Sequence, residues 1–138
     1  MSSNEAIART LAVVGLGAVA LIHLLDAHDT FLAAPYKGWL YVALIGGCLA
    51  TAAVLVKRND PRAWLATMLL PLGASVAFVV SRTVGLPSGA DDIGNWWEPL
   101  GLASLFVEGA LVVLAGAALS AQGWALQIAV PRLERGLQ

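Results

Sequence analysis

Charge is scarce in this chain. Asp, Glu, Lys and Arg make up 12% of its 138 residues, against about 25% in soluble globular domains. The eight basic and nine acidic side chains leave a net charge of −1 and form no basic block, so nucleic acid is not an expected partner. Cysteine is scarcer still. Cys48 stands alone inside an apolar run, which excludes an intrachain disulfide, a CxxC redox pair and a thiolate metal cage. It reads as a small buried hydrophobe. There is no HExxH, no phosphate-binding glycine loop and no nucleophile beside a base, so no enzymatic activity is expected.

What is abundant is apolar. Hydrophobic residues reach 59% and the mean hydropathy is +0.78, the signature of a membrane protein. Spans of about 6–25, 38–56, 62–84 and 99–121 are each long enough to cross a hydrocarbon core of ~30 Å, and they leave no room for a second domain. The first run carries His23 and Asp26 close after it, so it is read as a span rather than a cleaved signal peptide, whose core is ~7–15 residues. Ser2, Ser3 or Asn4 caps the first helix, while Pro61 and Pro99 open the third and fourth. Pro71 is expected to kink the third. A loop, DAHDTFLAAPYKGW, joins the first two spans, and Gly46, Gly47, Ala50 and Ala53 offer a small-residue face for helix contact. Gly109 and Gly116 lie on nearly one face of the fourth.

Arg9, Lys57, Arg58, Arg62, Arg132 and Arg135 flank the first end of helix one, the turn between helices two and three, and the tail. The positive-inside rule then puts both termini in the cytoplasm. The first and third loops face outward with Asp29, Asp91, Asp92 and Glu98, and Tyr36, Trp39, Tyr41, Trp96 and Trp97 read as an aromatic belt. Trp124 is placed at the opposite interface. Short loops favour antiparallel neighbours, so the predicted fold is all-α, an up-down-up-down four-helix transmembrane bundle in a bacterial cytoplasmic (inner) membrane.

Four ionisable residues lie in or at the edge of the spans: His23, Asp26, Arg82 and Glu108. A charge at the bilayer centre costs about 2.5–3.5 kcal/mol on insertion scales, so such groups face the interior and find partners. His23 and Asp26, three apart, share a helix face. Glu108 is about 13 Å past the start of its helix at about 1.5 Å per residue. His28 is about 140° round the helix from His23, which argues against a two-histidine haem site and assigns it to the loop or another face. His23, Asp26 and Glu108 are candidate ligands of a divalent metal ion. Arg82 either pairs with Glu108 or Asp26 to fix helix register or joins a binding site. Asp91 and Asp92 are read as solvated loop charges or an Asx turn, and Glu98 as a charge on the positive end of helix four. Ser81 is read as a packing hydroxyl.

The string SRTVGLPSG, Ser81 to Gly89, followed by EPLGLASLFVEG from Glu98, resembles a family of small bacterial four-helix integral membrane proteins with no assigned activity. The pattern has a histidine late in helix one, an SRTxGLPxG segment and an EPxG segment with a glutamate inside the last helix. Here these fall on His23, Ser81–Gly89, Glu98–Gly101 and Glu108. The chain departs from the pattern at Thr30, where relatives have histidine, and at Ser104, where they have an acidic residue. The resemblance implies shape and candidate positions only.

Three functions follow as expectations. The first is an outward-facing intramembrane cluster of His23, Asp26, Arg82 and Glu108 that binds a metal ion, a proton or a small polar ligand. The second is an accessory or assembly subunit of a larger membrane complex, or a homo-oligomer, packed through Gly and Ala faces. The third is a dimeric transporter with Glu108 as its proton-coupled carboxylate.

Overall fold

A computed structural model describes residues 1–123, so Trp124, Arg132 and Arg135 lie outside the described residues. The described chain forms four α-helices, α1 (Ser3–Ala33), α2 (Pro35–Lys57), α3 (Pro61–Thr83) and α4 (Pro99–Ala121), and one short 3-10 turn at Ala90–Asp92. All four helices are long and apolar enough to cross a membrane. This is a small multi-pass membrane protein. Each helix packs on its sequence neighbour, α4 also closes on α1, and α1 and α3 barely touch.

The helix starts follow local chemistry. Ser2 caps α1, its hydroxyl accepting from the Glu5 amide at 3.2 Å. Asp60 caps α3 through the Arg62 amide at 2.9 Å, with Pro61 at the first helical position, where its missing N–H costs nothing. The helix α3 runs through Pro71 as one element.

The join between α1 and α2 differs from the expected loop. Residues 26–33 continue α1, to a total of 31 residues and about 46 Å, longer than a ~30 Å hydrocarbon core. Nothing between Asp26 and Ala33 breaks a helix, and the Thr30 hydroxyl donates to Asp26 one turn back at 3.1 Å. Pro35 ends it by forcing the preceding Ala34 into extended backbone (φ −155°, ψ 101°) and then opens α2. His28 is therefore helical, and exposed.

Small residues are used differently from the expected stripe. On α2, Gly47 meets Leu70 of α3, whereas Gly46, Ala50 and Ala53 face outward. The buried residues of that helix are Gly38, Cys48, Thr51 and Leu55. Gly109 and Gly116 have open space before them. Tight approaches lie elsewhere: at Gly15 of α1, where a Cβ would come within 2.6 Å of Leu111 on α4, at Gly38 of α2 against Phe31 of α1, and at Gly101 of α4 against Phe78 of α3.

The two ends of the bundle are built differently. Ala12, Leu16, Val19, Cys48, Leu55, Trp64, Leu111 and Ala115 form a continuous buried apolar core. It is closed by Arg9, which donates to the Leu55 and Val56 carbonyls at 2.7 and 2.9 Å and so caps the end of α2. Asn59 accepts from Trp64 Nε1 at 2.6 Å and from Gln122 at 3.3 Å, tying the α2–α3 turn to the end of α4. Beyond this core the buried residues turn polar: His23, Ser81, Arg82, Ser104 and Glu108.

Candidate functional site

The polar end of the bundle encloses a cavity of about 600 Å³ walled by all four helices, a size typical of small-molecule sites. His23, Asp26, Arg82 and Glu108 all line it, so the four residues selected from the sequence reach one space. Their pairing differs from the expected one.

Glu108 is 1% exposed. One turn earlier on α4, Ser104 donates to its Oε1 at 2.5 Å, and Ser75 of α3 donates to Oε2 at 2.7 Å. His23 comes from α1 with Nε2 3.9 Å from Oε1, beyond direct hydrogen-bond reach. Its Nδ1 lies 2.9 Å from the Val19 carbonyl. A carbonyl only accepts, so Nδ1 carries a proton and the other ring nitrogen is turned toward Glu108. The Tyr41 ring packs edge-on against the imidazole at 4.7 Å.

Asp26 lies nearly one turn farther out than His23. Its Oδ2 accepts from Thr30 and from Tyr41, each at 3.1 Å. Tyr41 is thus a cavity residue and not part of the aromatic belt. Trp39 and Trp97, 66% and 85% exposed, keep the outward disposition of belt residues.

Arg82 pairs with neither Glu108 nor Asp26. Nη1 lies 2.8 Å from Asp92, Nη2 bonds Glu98, and the guanidinium stacks over Phe78 at 4.7 Å. Its Nε is buried without a partner. Lys37 bonds the second oxygen of Asp92 at 3.2 Å. Asp92 is therefore a bridge between two cations, not a solvated loop charge. Glu98 makes no side-chain cap at the start of α4 because its carboxylate goes to Arg82. The physical reason is the long loop, which folds back over the end of α3. Gly85, at φ +82°, ends that helix in the left-handed region that glycine enters freely, and the Gly94 amide donates to the Arg82 carbonyl at 2.9 Å. This carries Asp92 and Glu98 to the guanidinium. Ser81 donates to the Phe78 carbonyl at 2.7 Å, a packing role as expected.

Among the described residues, no group of three or more His, Cys, Asp and Glu side chains is disposed to hold a metal ion. His23, Asp26 and Glu108, expected as metal ligands, are not assembled as a ligand set. Hydroxyls bond both oxygens of Glu108 and Oδ2 of Asp26. Sequence reasoning missed Lys37, Tyr41, Ser75 and Phe78. The i, i+4 spacings of Asp26 with Thr30 and Ser104 with Glu108 were readable signals for two of the hydroxyl partners.

No family model, curated protein or solved structure matches this chain.

Proposed function

We propose that this protein is a ligand-binding membrane protein whose outward-facing cavity takes a small polar or amphipathic molecule, rather than a metal-centred or catalytic one. The observation that carries this reading is the 600 Å³ cavity itself, which gathers His23, Asp26, Arg82 and Glu108 from three helices. Buried ionisable groups in a bilayer are costly, and their convergence on one open space is the usual mark of an intramembrane site. The packed core below Glu108 supports access from one end. The up-down-up-down arrangement with both termini in a bacterial cytoplasm fits the distribution of charge. Arg9, Lys57, Arg58 and Arg62 lie at the apolar-core end, and Asp29, Asp91, Asp92 and Glu98 at the cavity end. Membership of the small four-helix family fits as well. The two departures from its pattern, Thr30 and Ser104, supply hydroxyls to Asp26 and Glu108.

The test is labelling with a membrane-impermeant thiol reagent in intact cells, in a Cys48→Ala background. Ala90→Cys and Ser104→Cys should react from outside, and Lys57→Cys only after lysis. The opposite pattern for Ala90→Cys and Lys57→Cys overturns the orientation. A Ser104→Cys thiol that stays unreactive even in lysed membranes overturns the binding cavity.

A further inference from the structure

The cavity has an unbalanced charge and an unequal wall. Asp26, Asp29, Asp92, Glu98 and Glu108 line it against only Lys37 and Arg82. Both cations are consumed at the rim by Asp92 and Glu98. Deeper in, Asp26 and Glu108 are held only by neutral hydroxyls of Thr30, Tyr41, Ser75 and Ser104. The imidazole of His23 stands 3.9 Å short of a direct bond to Glu108. Glu108, fully buried, and Asp26, partly buried, have no lysine or arginine bonded to them among the described residues, which favours a positive guest. No ligand set for a metal is present among the described residues, so the guest is organic.

The wall on the side of α2 and α3 indicates its form. That seam is the least contacted of the four adjacent helix pairs. Leu40, Ala43, Leu69, Gly73 and Ala77 line the cavity and are exposed. In a membrane the outer side of that seam is hydrocarbon, so the least packed wall of the cavity is apolar and lies toward lipid.

We infer that the cavity takes a membrane-partitioning organic monocation, its charged centre against Asp26 and Glu108 and its apolar body in the α2–α3 seam. This rests on the reading of the cavity as a binding site and adds the class of ligand and its route. Tyr41, which touches both His23 and Asp26, contributes an aromatic surface beside the charge.

The experiment is equilibrium binding of tetraphenylphosphonium to the full chain in nanodiscs, compared with tetraphenylborate, which has nearly the same shape and the opposite charge. Tetraphenylphosphonium should bind saturably and the borate should not. Glu108→Gln should weaken cation binding at least tenfold, and Asp26→Asn should weaken it less. Gly73→Phe puts a bulky ring into the seam at a position where an added Cβ meets nothing within 4 Å. It should weaken binding while leaving the fold and the carboxylates in place, which guards against a Glu108→Gln variant that does not fold. Borate binding equal to or tighter than that of the phosphonium overturns the inference. So does phosphonium affinity unchanged within twofold in both carboxylate variants, or no saturable phosphonium binding at all. In each of those cases, reactive Ser104→Cys leaves the cavity as a site for another class of ligand, and unreactive Ser104→Cys removes the cavity reading too.

Discussion

Replacing Glu108 by leucine separates a carboxylate kept for a ligand from one kept for the fold. Glu108 is fully buried, and no fixed cation faces it. Replacing a buried ion pair with apolar side chains of similar volume is often neutral or stabilising by about 1–4 kcal/mol, and the same logic extends to a buried carboxylate whose partners are not left stranded. Here they are not. Other hydroxyls on these helices already bond to carbonyls one turn back: Thr51 to Gly47, Thr67 to Ala63 and Ser120 to Gly116, at 2.7, 2.8 and 2.9 Å. Ser75 and Ser104 can do the same once the carboxylate is gone, and His23 keeps its bond to Val19. The leucine would extend the apolar core at Leu111 by one turn. The expected result is a protein more stable by about 1–2 kcal/mol, with cavity binding lost. The assay is equilibrium unfolding in mixed micelles titrated with sodium dodecyl sulfate, read by tryptophan fluorescence. Ser104→Ala should cost about 1–2 kcal/mol in the native background, as the loss of a buried side-chain hydrogen bond does. In the Glu108→Leu background it should cost less than about 0.5 kcal/mol. A Glu108→Leu protein destabilised by more than about 1 kcal/mol would refute the reasoning and make Glu108 a structural residue.

Arg82→Met should destabilise the protein by about 1–3 kcal/mol in the same assay, because it strands the partly exposed Glu98 and leaves Asp92 with Lys37 alone. It should also speed proteolysis between Leu86 and Trp97, which limited digestion would detect. Arg9→Ala should cost about 1–2 kcal/mol through the freed Leu55 and Val56 carbonyls. Arg9→Lys should recover less than half of that, since a single ammonium cannot reproduce the guanidinium fork. In liposomes containing brominated lipids, Trp97, 85% exposed, should be quenched by lipids brominated near the headgroup, while Trp64, 1% exposed, should resist quenching. Single-tryptophan variants read by fluorescence check this.

Much of this protein is determined by composition and local chemistry alone. Apolar runs of span length, proline at the start of α3 and α4, and Ser2 and Asp60 as caps depend on near neighbours in sequence, and the helices begin where those signals stand. The candidate residues were legible for a related reason: an ionisable side chain in an apolar run is costly wherever it goes, so His23, Arg82 and Glu108 declare themselves before their surroundings are known. Their partners were not legible. The nearest opposite charge in depth suggested Arg82 with Glu108 or Asp26, yet the guanidinium takes Asp92 and Glu98 because the loop after α3 folds back onto it. That return depends on the Gly85 and Gly94 turns and on the packing of Phe78 under the guanidinium, and it joins Arg82 to a partner sixteen residues away in sequence. The same holds for Tyr41. Its place near a helix end marks it as a belt aromatic, and only the rotation of α2 against α1 turns it inward to Asp26. What tertiary structure alone decided is the division of the bundle into a packed core and an acidic cavity. Helix rotation selects which small and polar residues share an interior, and four helices of nearly uniform hydropathy leave that rotation unmarked in the sequence.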